Sequence, residues 1–147
     1  MRTIIFLIAV LWALAVASVV FAHEYSYRAT VVSVYDGDTV TLNVDLGFDI
    51  WMTNERVRLY CLNTPEITGA EKPEGLAVRQ HLLDLMPVGS EVEIRTIKDR
   101  TGKFGRYLVV IYLQGQDESL NARLLREGKA RVMAFSRRDR EACAQLR

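Results

Sequence analysis

Asp36 and Asp38 flank a glycine in the run Asp36-Gly37-Asp38-Thr39; Arg58 follows, then Asn63-Thr64-Pro65-Glu66, then Gly105-Arg106. Carboxylates, amide oxygens and backbone carbonyls are the donors that a hard cation such as calcium takes. Asp38 is the best candidate ligand, with the side-chain oxygen of Asn63 and the backbone carbonyl of Thr64 as companions. Arg58 and Arg106 are the guanidinium groups that could hold a phosphate and neutralise charge as a nucleophile adds, contacts typically worth roughly 3 kcal/mol each in a transition state. Glu66 is an acid able to orient a water or take its proton. Those are the parts needed to cut a phosphodiester. Each alone is ordinary, since Asp-Gly turns commonly close on their own side-chain hydrogen bonds and arginines commonly pair with carboxylates. The ordered set is specific.

The elements that must position these residues follow from periodicity and punctuation. Tyr27–Tyr35 is rich in Val, Thr and Tyr and reads as a strand ending at the Asp36-Gly37 turn. From Asp38 to Val44, Val40, Leu42 and Val44 alternate with Thr39, Thr41 and Asn43, a half-buried strand. Asp45-Leu46-Gly47 turns the chain into a third strand, Ile50–Leu62, with Val57, Leu59 and Cys61 on one face. A loop with Pro65, Gly69 and Pro73 leads into a helix whose Val78, Leu82, Leu85 and Met86 share a face. Glu91–Ile97 reads as an edge-type strand and Arg106–Leu113 as a strongly apolar one, joined by the polar connection Asp99–Gly105. Asp117 or Ser119 caps a last helix, with Leu120, Leu124 and Leu125 inward and Gly128 as its stop. Lys129–Arg147 is basic and without pattern, so partial disorder is expected there. Five strands with a helix between the third and fourth fit an α+β, five-stranded Greek-key barrel of the OB type.

The chain begins with a stretch uncharged from Thr3 to Ala22, following Arg2 and ending Val20-Phe21-Ala22. It reads as a secretory signal cleaved after Ala22; its length near that of a bilayer span leaves an uncleaved membrane anchor as the alternative. The product is then secreted or periplasmic, or anchored on the exported face. The expected layout is a signal over 1–22, one domain over 23–135 and a basic tail over 136–147. Setting Arg2 aside from the 19 basic residues leaves as many bases as the 18 acids, which argues against nucleic-acid binding by bulk electrostatics. Charge is nonetheless segregated, acidic over Asp36–Glu74 and basic over Asn121–Arg147. Two cysteines and two histidines do not make a zinc site or a histidine-based hydrolase. A buried free thiol at Cys61 is expected in preference to a bridge to Cys143.

Asp36-Gly37-Asp38-Thr39-Val40, Arg58, Thr64-Pro65-Glu66, Gly105-Arg106, Asn121 and Leu125-Arg126-Glu127-Gly128 occur in the order and approximate spacing of the staphylococcal nuclease (thermonuclease) family. The chain resembles that family from about Tyr27 to about Phe135. The resemblance implies an OB-type barrel that hydrolyses DNA and RNA with calcium. By position, Asp38 is then a calcium ligand, Arg58 and Arg106 bind the phosphate, Glu66 handles the attacking water and Asp36 lies behind the metal. Three positions depart from the pattern. Asn63 stands where the family has a second calcium-binding aspartate, which keeps an oxygen and loses a charge. Gly102 stands where an acid is expected. The tyrosines that stack on a base have no counterpart around Ala134–Ser136, where Phe135 is the nearest aromatic ring.

The resulting expectation is an exported, monomeric, calcium-dependent endonuclease of low sequence specificity, acting on single-stranded or denatured DNA and RNA. The alternatives are an OB module that binds nucleic acid after losing turnover through Asn63, and an exported protein-binding module.

Overall fold

The computed structural model describes residues 25–101, 106–134, 137–144 and 146. The first three strands are β1 (Tyr25–Val34), β2 (Thr39–Asp45) and β3 (Trp51–Leu59); β4 is the short Leu62–Asn63. After a single 3₁₀ turn at Gly69–Glu71 come helix α1 (Lys72–Leu85), strands β5 (Glu91–Thr101) and β6 (Tyr107–Leu113), helix α2 (Leu120–Arg126), strand β7 (Arg131–Val132) and helix α3 (Arg137–Ala144). The large sheet closes on itself in the order β1-β2-β3-β6-β5, and β4 pairs with β7. This is the five-stranded OB-type barrel with helices that the strand pattern implies.

Alternation decides which side chains fill the barrel. Val40, Leu42 and Val44 of β2 point inward, as do Ala29, Val31 and Val34 of β1. The step from Val31 to Val34 breaks strict alternation, and the β1–β2 register shifts between Val31 and Ser33. A bulge there turns Ser33 out and Val34 in, and adds the bend that a closing sheet needs. The helix between β4 and β5 adds Val78, Leu82 and Met86 to the same core, and α2 adds Leu120 and Leu124. Truncating a fully buried leucine such as Leu82 would cost about 2–5 kcal/mol.

Four expectations need correction. The strand expected over Ile50–Leu62 breaks at Leu59, because Cys61 takes a left-handed φ of 67°; Cys61 therefore leaves the face of Val57 and Leu59 and joins a second cluster with Tyr60, Leu108, Val110 and Cys143. Glu91–Thr101 is no edge strand, for it pairs with β1 on one side and β6 on the other. The stretch after Lys129 contains β7 and α3. Finally, Cys61 and Cys143 form a disulfide across 82 residues, with Cα atoms 5.6 Å apart. It fastens α3 to the turn after β3, so the basic end is part of the folded body.

Asn121, fully buried, ties three elements together. Its Nδ2 donates to the carbonyls of Tyr60 at 2.9 Å and Val109 at 3.2 Å, and its Oδ1 accepts from the Ile111 N–H at 3.0 Å. A buried amide satisfied this fully fixes the approach of α2 to β6 and to the end of β3. The segment 1–22, read above as signal or anchor, lies outside the described residues, as do Gly102, Gly105 and Phe135.

Candidate active site

The β1–β2 turn places Asp38 at the centre of a polar cluster on one end of the barrel. Tyr35 and Asp36 donate their N–H groups to the Thr39 carbonyl at 3.0 and 3.4 Å. Within that reversal the Asp38 N–H donates to Asp36 Oδ1 at 3.0 Å, an Asx turn. Gly37 is required by space rather than by φ. A Cβ at that position would lie 2.6 Å from Val78 Cγ1 and 2.7 Å from Thr64 Cβ. The turn can thus press directly on Thr64 and on α1, which brings Asp38 to the loop after β4.

Both oxygens of the Asp38 carboxylate are engaged. Oδ1 accepts from the Thr39 hydroxyl at 3.0 Å. Oδ2 accepts from the Thr64 N–H at 3.2 Å and pairs with Arg58 Nη2 at 2.9 Å. The same Nη2 reaches Asn63 Oδ1 at 3.2 Å and the Leu62 carbonyl at 3.3 Å. Arg106 Nη1 donates to Thr39 Oγ1 at 3.1 Å. A continuous chain of contacts therefore runs from Arg106 through Thr39, Asp38 and Arg58 to Asn63. The register explains the convergence: Thr39 lies opposite Arg58 across β2–β3, and β6 pairs in parallel with β3 from Tyr107 onward. The pairing sets Arg106 just before Tyr107, which lies opposite Val57, and from there it reaches Thr39.

Burial pushes the Asp38 carboxyl above its ordinary range; Arg58 pulls it back down, neighbouring Asp36 pushes it up again, and the hydrogen bonds from Thr64 and Thr39 lower it. A buried carboxylate kept beside a second acid works against folding. Such arrangements concentrate where charge serves chemistry.

Five of the six residues singled out from sequence thus fall in one contact chain: Asp38, Arg58, Asn63, Thr64 and Arg106. Thr64 enters it through its N–H. Glu66 is exposed at the edge; its backbone N–H donates to Glu71 Oε2 at 3.2 Å, and among the described residues no contact joins its carboxylate to Asp38 or Arg58. Two contributors had no assigned role in the sequence reading. Thr39 bridges Arg106 to Asp38, and its place in the Asp-Gly-Asp-Thr motif was the available signal. Gly75 of α1 packs against the backbone of Glu66, and a helical glycine carries no signal of such a contact by itself. His81 sits 2.8 Å from Glu127 Oε2, outside hydrogen-bond alignment, and belongs to the α1–α2 packing.

Whether a calcium ion suits this cluster turns on its donors. Asp38, Asn63 and Thr64 supply oxygens, with no thiolate or imidazole near them among the described residues, which matches a hard cation. Among the described residues no group of three or more Asp, Glu, His or Cys side chains converges, so most of a calcium shell would come from water and from substrate oxygens. The donors fit a loosely held calcium ion.

The chain is thus a closed five-stranded barrel of the OB type with a carboxylate–guanidinium cluster at one end. The family model for staphylococcal nuclease homologues matches residues 56–147, more than half of the chain, and the protein belongs to that family. The match begins inside β3, so Asp38 joins the site through geometry, by its contacts with Arg58 and Thr64, and Asp36 by accepting the Asp38 N–H. No curated protein matches the chain.

Proposed function

We propose that the protein is an exported, calcium-dependent nuclease that hydrolyses phosphodiester bonds of DNA and RNA with little sequence specificity, favouring single-stranded or denatured strands. The observation that carries this reading is the contact chain from Arg106 to Asn63 through Asp38. It gathers two guanidinium groups and a set of oxygen donors in a member of the staphylococcal nuclease homologue family.

Asp38, Asn63 and the Thr64 carbonyl would hold the cation, and a bound calcium would polarise the phosphate and stabilise its developing charge. Arg58 from β3 and Arg106 from just before β6 can hold separate non-bridging oxygens, which would fix the phosphorus for in-line attack. Arg58 leaves a contact with Asp38 to do so, and the phosphate replaces the carboxylate as its partner. Glu66, exposed and held by its backbone, can orient the attacking water or accept its proton.

The test is digestion of heat-denatured DNA across a calcium titration, with chelator controls and the Glu66→Gln and Arg106→Ala variants. Cleavage that requires calcium and collapses in both variants supports the nuclease. A folded protein that binds the strand but never cleaves it, even at high calcium, would instead support a noncatalytic binding module. The use of Asn63 by Arg58 is what keeps that second reading open.

A further inference from the structure

The turn between β2 and β3 bears four exposed apolar side chains. Phe48 is 99% exposed, and Leu46, Ile50 and Trp51 are exposed beside it. The turn is well formed, with Leu46 N–H donating to the Ile50 carbonyl at 2.9 Å and Ile50 N–H to the Gly47 carbonyl at 3.0 Å. Gly47, Phe48 and Asp49 take φ values of 81°, 53° and 60° in succession. Left-handed backbone costs a residue with a Cβ roughly 1–2 kcal/mol, and glycine or asparagine would meet this turn's needs better than phenylalanine. Phe48 thus disfavours the fold twice, by backbone and by exposure. Large apolar groups gathered in this way mark a surface that meets something.

The register shows what lies beside the turn. Ala29 pairs with Val44, and Arg28 forms a 3.0 Å ion pair with Asp45, so the start of β1 and the β2–β3 turn share one end of the barrel. Tyr25 and Tyr27 stack there with ring centroids 6.4 Å apart, and Tyr25 is exposed. The residues leading to Tyr25 include the uncharged run Thr3–Ala22, close to the roughly 20 residues that span a bilayer. Tyrosine and tryptophan are the side chains that favour the boundary between lipid headgroups and acyl chains. The Asp36–Thr39 turn lies at the other end of β2, roughly 20 Å away at 3.3 Å per residue.

We propose that the β2–β3 turn is a membrane contact. In the full chain, Phe48, Ile50 and Trp51 rest in the interface of the bilayer that receives the Thr3–Ala22 run, and the Asp38 cluster faces away from it. Asp49 limits the depth, because a carboxylate resists transfer into lipid, and with Asp45 already paired to Arg28 the turn offers no excess positive charge to draw it to an anionic surface. This inference takes the anchor alternative for the N-terminal run and does not depend on the nuclease reading.

The test uses the full chain in phosphatidylcholine vesicles. The sequence has two tryptophans, so Trp12→Phe leaves Trp51 as the single probe and Trp51→Phe leaves Trp12. Lipids brominated near the headgroup are expected to quench Trp51 about twofold, with a blue-shifted emission, as for a side chain in the interface. The added pair Phe48→Ser and Ile50→Ser is expected to abolish that quenching while the rate on DNA stays unchanged. Trp51 left unquenched while Trp12 is quenched would overturn the proposal, and so would absence of quenching at both. Shielding of Trp51 from iodide without lipid quenching would also overturn it, and would assign the turn to a second copy of the chain.

Discussion

Gly75 of α1 lies against the backbone of Glu66 with no space for a side chain: a Cβ there would overlap the Glu66 carbonyl group and stand 2.8 Å from the Pro65 oxygen. The helix therefore sets the height of the loop that presents Glu66. In an exposed helix, Gly→Ala normally stabilises by about 1 kcal/mol. Here the backbone must move instead. Gly75→Ala is expected to leave Tm unchanged or lower and to reduce cleavage of denatured DNA by about 10- to 100-fold, the scale of a small misplacement of a reacting group. A stabilised variant with full activity would show that the contact does not position Glu66.

The two arginines should separate in their effect on stability. Arg58 is the counter-ion of a nearly buried carboxylate, with side-chain exposures of 13% and 5% for the pair. Arg58→Ala leaves Asp38 without its main compensating charge and is expected to lower unfolding free energy by roughly 3 kcal/mol. Arg106 reaches the cluster through the Thr39 hydroxyl, and Arg106→Ala is expected to cost well under half of that. Both should lower the cleavage rate by about 100- to 1000-fold. Urea unfolding of each variant beside its rate on denatured DNA makes the comparison.

Much of the barrel was legible because its strands are written locally. The alternation of Val40, Leu42 and Val44 with Thr41 and Asn43 needs no partner to be read, and Ser119 caps α2 through a 3.1 Å bond from the Ala122 N–H as its position suggests. The site was legible as residue types in order. What stayed hidden depends on partners distant in the chain. The parallel β3–β6 pairing that closes the barrel sets Val57 opposite Tyr107, and nothing near either residue encodes that. Cys143 lies among Arg137, Arg138, Asp139, Arg140 and Glu141, a context that reads as solvated tail, and only the fold brings it to Cys61. Asn121 reads as one polar residue in a helix until the carbonyls of Tyr60 and Val109 are placed around it.

The disulfide closes a long loop, joining cysteines separated by 82 positions in the chain. Cross-linking constrains the unfolded chain, and loops of this size are associated with roughly 4 kcal/mol in the entropic account, with 2–5 kcal/mol typical when a native bridge is removed. Cys143→Ser, or reduction of the wild type, is expected to lower Tm and to expose α3 to protease before the barrel. Amide hydrogen exchange would show it as lost protection across Arg137–Ala144, with β1 and β2 retained.

Glu127 supplies an acid-sensitive contribution. The Arg123 hydrogen bond, at 2.8 Å, is the main cause holding its carboxyl below the ordinary 4.5, with His81 adding to it. A carboxylate with a depressed folded value adds stability that is fully present above its unfolded value and disappears as pH falls through the folded one. The Tm difference between wild type and Glu127→Gln should therefore be present at about pH 5 and above and shrink toward zero as acid is added below that. A difference that persists at pH 2–3 would trace the effect to packing rather than charge.

If the Asp38 cluster holds calcium as proposed, Asn63 would set how strongly, and the sign of its replacement can be argued. Aspartate there would meet two positive partners, the bound calcium and Arg58 Nη2, now 3.2 Å from Asn63 Oδ1. Pairing more tightly with Arg58 opposes metal binding, while the added charge favours it. At comparable distance and an effective dielectric of about 20, the attraction to a divalent ion is about twice that to a guanidinium, some 8 against 4 kcal/mol before solvation offsets most of each. The metal term prevails. Asn63→Asp is expected to tighten calcium binding by about tenfold, read by calorimetric titration of the metal without nucleic acid and by a matching fall in the calcium midpoint for cleavage. If calcium affinity stays constant or weakens, Asn63 acts as a partner of Arg58 alone and the ion takes its oxygens from Asp38, Thr64 and the substrate.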